Sequence, residues 1–284
     1  MSDVETTRRQ VSKAYADAVA RTGGCCGEPT SRGVTAQLAG YEESELRDLP
    51  PEAVANSFGC GNPVALADLK PGDVVVDLGS GAGIDLLLAA KKVGPTGHVI
   101  GIDMTDAMIA KARENIAASG LTNVEVRKGI IEDLPVDGDS VDWVISNCVI
   151  NLSPEKENVF AEIARVLKPG GRMSVSDLVV EDLPDWVRDD PVLYCSCVGG
   201  AIGEHDYLLG LQDAGLDDVH VADRLTYDAT QIAAIIDSDL PEAASGCCEQ
   251  RSTETLEALA GNVSSVRFVA SKPRAESTSS PTEA

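Results

Sequence analysis

The clearest pattern of apolar and polar positions begins at Val74. Val74-Val75-Val76 is an unbroken β-branched run, the kind a strand needs when both its faces are buried. It passes through Asp77-Leu78 into Gly79-Ser80-Gly81-Ala82-Gly83, after which Ile84 to Val93 takes up helical spacing. The alternation then repeats. A strand is predicted at Val99–Asp103, a helix from the cap Thr105 to Ser119 with Gly120 at its exit, and a strand at Val124–Val126. A loop at Gly129–Pro135 precedes a fourth strand at Ser140–Asn147. Ser153-Pro154-Glu155 has the composition of a helix start, and Leu167-Lys168-Pro169-Gly170-Gly171 that of a stop, before a fifth strand at Arg172–Val180. Segment 181–206 breaks the rhythm with a helical stretch around Pro191–Ala201. A helix at His205–Ala214, a strand at Val219–Val221 and a last strand at Val266–Ala270 complete the series. This order predicts an α/β fold built on a doubly wound, mostly parallel sheet.

Ahead of it, Val4 to Ala20 reads as an amphipathic helix ended by Gly23-Gly24, and short helical pieces follow around Glu42–Asp48 and Glu52–Asn56. The chain therefore divides into an N-terminal helical, cysteine-bearing segment (1–70) and a core (71–225) with 181–206 inserted on its substrate side. A C-terminal subdomain (226–272) carries the last strand, and a Ser-, Thr-, Glu- and Pro-rich tail (273–284) is expected to be disordered.

The loop after the first strand carries the first candidate chemistry. Glycines there let a ligand approach the backbone, and the helix they open has unpaired N–H groups at its start. A phosphate-cradling loop needs Gly-Lys-Ser/Thr, which is absent, and the dinucleotide fingerprint needs a glycine where the chain has Ile84. A second acid, Asp103, ends the second strand twenty residues past Gly83, where a carboxylate can take both hydroxyls of a ribose. Asp77 suits a ligand bearing a cationic amino group. Together the two acids resemble the S-adenosylmethionine pocket of class I methyltransferases.

Composition narrows the partners. The 284 residues carry a formal charge of −23, which repels nucleic-acid phosphates and fits a heavily solvated surface. No apolar run reaches the length of a membrane span, and the start Met1-Ser2-Asp3-Val4-Glu5 lacks a signal peptide's apolar core. The expectation is a cytoplasmic protein, a monomer, without membrane or nucleic-acid partners. Eight cysteines are many for that compartment, and without a Cys-x-x-Cys pair they point to thiol chemistry or soft-ion binding more than to disulfides or a zinc finger.

Residues 70 to 225 resemble class I methyltransferases throughout, in Asp77-Leu78-Gly79-Ser80-Gly81-Ala82-Gly83, Asp103, Glu132-Asp133-Leu134-Pro135 and Leu167-Lys168-Pro169-Gly170-Gly171. The cysteine contexts narrow this. Gly59-Cys60-Gly61-Asn62-Pro63, Ser146-Asn147-Cys148-Val149-Ile150-Asn151-Leu152, Cys197-Val198-Gly199-Gly200-Ala201 and Gly23-Gly24-Cys25-Cys26 resemble the arsenite methyltransferases over nearly the whole chain. The resemblance implies a seven-stranded sheet and S-adenosylmethionine as cofactor. Its contacts would be Asp77, Gly79, Ser80, Gly81, Gly83, Asp103, Met104, Ile131, Glu132 and Asn147. It also implies trivalent arsenic held by Cys60, Cys148 and Cys197, with Cys25 and Cys26 in thiol–disulfide exchange. Arsenite or its thiol conjugate would be the substrate, and glutathione or thioredoxin the reductant.

Independent chemistry supports that set. In this fold substrates meet the cofactor above the carboxyl ends of the strands, and Cys148 follows the fourth. Three thiolates around pyramidal As(III) leave its lone pair facing outward as the nucleophile, with no general base required. Each cysteine alone is more readily a core residue, but Cys60 and Cys197, flanked by glycines in loops, are poor core candidates. Cys195 stands two residues from Cys197 and in a helix would point elsewhere, while Cys247-Cys248 reads as a second arsenic-capturing pair or a plain loop. Methylation of a quinone- or lipid-like molecule and non-catalytic heavy-metal binding remain as alternatives.

Overall fold

The structure is a computed structural model and describes residues 3–20, 39–228 and 261–274. Seven strands form one sheet in the order β3-β2-β1-β4-β5-β7-β6. They are β1 (Val74–Leu78), β2 (His98–Asp103), β3 (Val124–Lys128), β4 (Val141–Asn147), β5 (Leu167–Val180), β6 (Asp217–Thr226) and β7 (Val263–Ser271). The first five run parallel, and β7 enters antiparallel between β5 and β6.

Burial explains the strand chemistry. Val76 and Leu78 join a core on one face of the sheet with Phe160, Tyr207 and Phe268, while Val75 joins a second core on the other face. Alternation between two apolar faces is why β1 reads as a continuous hydrophobic run. Helices cover both faces. In chain order they are α1 (Asp3–Ala20), α2 (Glu43–Leu46), α3 (Pro51–Ala55), α4 (Pro63–Leu66), α5 (Ile84–Val93), α6 (Asp106–Ser119), α7 (Lys156–Val166), α8 (Asp185–Arg188), α9 (Pro191–Cys195) and α10 (Glu204–Asp213). Among the described residues no helix is long and apolar enough to cross a membrane.

Four details depart from the sequence reading. The Lys168–Gly171 stretch is strand, because the Gly170 N–H donates to the Lys272 carbonyl (2.9 Å) and the Lys272 N–H to that of Gly171 (2.8 Å). Helix α7 starts at Lys156, not Ser153, since a short 3₁₀ turn at Ile150–Leu152 precedes it; the Ser153 hydroxyl still accepts from the Glu155 N–H (3.1 Å) while donating to Glu132. Thr105 precedes α6 as expected, but its hydroxyl makes no cap and donates to the Ser12 hydroxyl at 3.3 Å. The last strand, expected in an appended C-terminal subdomain, is a member of the main sheet. Residues 229–260 and the tail from 275 lie outside the described residues.

Strand order reverses between β1 and β4, so the connections leaving these two strands diverge and open a crevice at their carboxyl ends.

Candidate functional site

That crevice is a cleft of about 920 Å³, partly open to solvent, and the glycine loop forms one wall. Gly79, Gly81 and Gly83 all have positive φ (62°, 51° and 95°). At Gly79 the reason is also space, because a Cβ would lie 2.4 Å from Val149 Cγ1. Asp103 closes the end of β2 and holds this loop. Its two carboxylate oxygens accept from the Gly81 N–H (3.0 Å) and the Thr105 N–H (2.8 Å). Burial nevertheless raises its pKa, against the pull of those donors.

Two further acids lie close by. Asp77 is buried with Oδ2 unpartnered, and its pKa is pushed well up by burial and by the charges of Asp85 and Asp103. Asp85, in the first turn of α5, lines the cleft. Tyr41 donates its hydroxyl to Oδ1 (2.7 Å), and the Asn147 amide donates to Oδ2 (3.2 Å). Burial lifts Asp85 to about 6 despite these donors. The Ser80 hydroxyl is also buried without a partner. These cation-seeking carboxylates and unfilled hydrogen-bonding atoms fit a bulky, positively charged nucleoside ligand.

The opposite wall holds Met104, Ile131 and Glu132. The Ser153 hydroxyl donates to Glu132 Oε1 (2.6 Å), and Arg8 of α1 pairs with both Glu132 (3.2 Å) and Glu155 (2.5 Å). Glu132 is thus already engaged by protein groups.

The thiols meet at the inner end. Cys148 leaves β4 with φ at 59°, an uncommon backbone for a non-glycine residue. Asn147 just before it grips the Cys60 loop, accepting from the Gly61 N–H (3.1 Å) and donating to the Gly61 carbonyl (2.6 Å). Cys60 and Cys148 form a disulfide with Cα atoms 5.8 Å apart. This corrects the expectation of free thiols at both positions. While two sulfurs are bonded to each other, no group of three or more potential ligands among the described residues is arranged to hold an ion. Cys197 also sits in the left-handed region, with φ at 66°, and its thiol donates to the Cys148 carbonyl at 2.7 Å. The structure therefore brings Cys60, Cys148 and Cys197 together, on segments 88 residues apart in one case and 49 in the other. Cys195 ends α9 and is buried, its thiol pushed up to about 11 by burial and by Asp190. Cys25, Cys26, Cys247 and Cys248 lie outside the described residues.

Behind the thiols lie a half-buried lysine and a buried aspartate. Lys156 donates to the carbonyls of Asn151 (3.2 Å) and Ser153 (2.9 Å), and burial brings its ammonium down to about 8. Burial also lifts Asp177 to about 7, against the charge of Lys156 and the N–H groups of Asn151 and Leu178. The lysine thereby fixes the turn that follows Cys148.

Sequence reasoning did not single out Asp85, Tyr41, Arg8, Tyr15 or Phe58. Asp85 had a signal, being an acid alone in the apolar run after the glycine loop. The others had none, because their partners are remote along the chain.

Residues 69–215 match a family model described as a methyltransferase domain. An arsenite methyltransferase of Halobacterium salinarum is 45% identical over 235 residues, covering 78% of this chain and 60% of that protein. An arsenite methyltransferase of Homo sapiens is 36% identical over 210 residues, covering 70% of this chain and 53% of that protein. The crystal structure of CrArsM, an arsenic(III) S-adenosylmethionine methyltransferase from Chlamydomonas reinhardtii, superposes with a TM-score of 0.61. It is 31% identical, over 86% of this chain and 74% of that one. The chain thus spans about 60% or less of the length of these curated relatives.

Proposed function

The chain belongs to the methyltransferase-domain family and, within it, to the arsenite methyltransferases, and from that premise we propose that it methylates trivalent arsenic. The cofactor is S-adenosylmethionine, whose sulfonium supplies an electrophilic methyl group when bound. The glycine loop, the carboxylates Asp77, Asp85 and Asp103 and the wall of Met104, Ile131 and Glu132 fit it, and these residues would hold it.

The observation that carries the reading is the placement of Cys148. It lies at the carboxyl end of β4 and lines the same cleft as the glycine loop, with Cys60 and Cys197 against it. Opening the Cys60–Cys148 disulfide takes two electrons, which two equivalents of an external thiol such as glutathione supply as they become a disulfide. Arsenic(III), arriving as a thiol conjugate, then exchanges its thiols for Cys60, Cys148 and Cys197. Each exchange moves a proton from a cysteine to the departing thiol. Sulfur suits arsenic because both are soft. Three such bonds leave the arsenic lone pair directed away from the sulfurs. That pair would form the As–C bond as the methyl group left the cofactor's sulfur, so the task of the three thiolates is to hold arsenic with its lone pair free. No proton moves in the transfer, so the absence of a general base from the reaction scheme has a chemical reason. Positioning carries the rate. Asn147 serves it by fixing the Cys60 loop, and Lys156 by fixing the turn after Cys148.

Incubating the reduced protein with S-adenosylmethionine, glutathione and arsenite, followed by arsenic speciation, tests this. Methyl- and dimethylarsenicals are expected. A preparation that binds the cofactor, methylates an organic acceptor and leaves arsenite unchanged would overturn the arsenic reading while keeping the methyltransferase one.

A further inference from the structure

We propose that Tyr15, on the N-terminal helix α1, is a positioning residue that holds the sulfur of Cys197 for arsenic. This rests on the arsenic reading above and adds to it an element that the sequence placed in an accessory segment.

Helix α1 touches both halves of the site. At its start, Arg8 pairs with Glu132 and Glu155 on the cofactor wall. One turn further, the Ser12 hydroxyl accepts from that of Thr105, beside Asp103. On the same side of the helix, Val11 and Tyr15 pack into the apolar cluster that contains Cys60, Cys148 and Cys197. The Tyr15 ring lines the cleft and meets Phe58 edge-on, with centroids 5.7 Å apart and planes at 90°. Phe58 opens the Gly59-Cys60-Gly61 loop, so the ring buttresses one arsenic-binding segment.

The hydroxyl reaches another. It donates to the Cys195 carbonyl at 3.2 Å and lies 4.0 Å from Cys197 Sγ. In the thiol form Cys197 is the donor to the Cys148 carbonyl. When that sulfur surrenders its proton to bind arsenic, it loses this bond and turns a lone pair toward a carbonyl oxygen, which repels it. A phenol hydrogen rotates freely about its C–O bond. Turning from the Cys195 carbonyl to Sγ gives the deprotonated sulfur a donated hydrogen bond in place of the one it used to donate, with the heavy atoms already in place. Cys197 has a positive φ, so its turn has little room to adjust on its own account. A hydroxyl on a separate helix meets that need.

Tyr15→Phe removes the donor and keeps the ring. A hydrogen bond to a neutral partner such as an arsenic-bound sulfur is worth roughly two- to ten-fold in affinity. For Tyr15→Phe we expect a rise of that order in the KM for arsenite with glutathione, and in the Kd for phenylarsenic(III) oxide measured on phosphine-reduced protein. Its Kd for S-adenosylmethionine should stay within about twofold. Tyr15→Leu, which also removes the edge contact with Phe58, should weaken cofactor binding as well. Wild-type affinity for phenylarsenic(III) in Tyr15→Phe overturns the proposal. Equal loss of cofactor and arsenical binding in that variant also overturns it, because the hydroxyl would then serve the fold as a whole. Wild-type protein that binds no trivalent arsenical instead brings down the functional reading.

Discussion

Asp85 and Asp103 are buried carboxylates lining the cleft, so a cation bound there should be taken up with release of protons. Asp85 stands at about 6 instead of 3.8, raised by burial and by Glu45 and lowered by Tyr41 and Asn147. Holding this carboxylate charged at neutral pH costs the folded chain ~3 kcal/mol. The sign follows from linkage. With the folded value raised, the native state binds more protons than the unfolded chain between pH 4 and 6, so this group's contribution to stability falls as pH rises through that window. A bound cation reverses the cost by stabilising the carboxylate. If it returns Asp85 to its ordinary range, the affinity for S-adenosylmethionine should rise about ten-fold from pH 5 to pH 7 and level off above. Binding at pH 5.5 should release on the order of 0.7 proton, read by isothermal titration calorimetry in two buffers of different ionisation enthalpy. Asp85→Asn should remove the part of the pH slope and buffer dependence centred near pH 6, at a lower plateau affinity. Identical heats in both buffers at pH 5.5, with an affinity flat from pH 5 to 7, would refute the assignment of Asp85 to the cofactor's cation.

Cys148→Ser should eliminate arsenite methylation and leave the cofactor Kd within twofold, measured by equilibrium dialysis; undiminished turnover would remove Cys148 from its role. Gly79→Ala places a methyl group 2.4 Å from Val149 Cγ1 at a positive-φ position, and should destabilise the fold by about 1–3 kcal/mol in urea titrations and weaken cofactor binding. Phe268 stacks on Tyr207 at 4.0 Å inside the sheet's larger core, so Phe268→Ala should cost about 3–5 kcal/mol by the same titration. With a net charge of −23, the thermal midpoint should climb as KCl rises from 0.1 to ~1 M, because screening relieves self-repulsion.

The strand, glycine loop, helix and second acid were legible because each depends on neighbours a few residues away. The β-branched run at Val74–Val76, the φ-permissive Gly79 and the strand-end Asp103 carry their roles in local chemistry. Ser153 shows the limit of that logic. Its hydroxyl accepts from the Glu155 N–H as a cap would, yet it also donates to Glu132, 21 residues away, a partner no local pattern announces. The thiols lie further along the same scale. Glycine-rich contexts marked Cys60 and Cys197 as unusual, but proximity to Cys148 is a property of strand order. Inserting β7 beside β5 carries the chain at Tyr227 over the Cys60 loop, where its hydroxyl donates to the Cys60 carbonyl at 2.9 Å from 167 residues away. The disulfide was missed for a related reason, since a reducing compartment argues about populations of thiols and not about two sulfurs held in contact. Helix α1 is the extreme case. Nothing within it announces that Arg8 answers Glu132 across 124 residues, or that Tyr15 answers Cys195 across 180. The glycine-loop half of the cleft was written locally, and its cysteine-lined half is assembled by topology. Removing the whole α1 ring with Tyr15→Leu should therefore weaken both halves together, whereas loss of its hydroxyl alone should reach only the sulfur half.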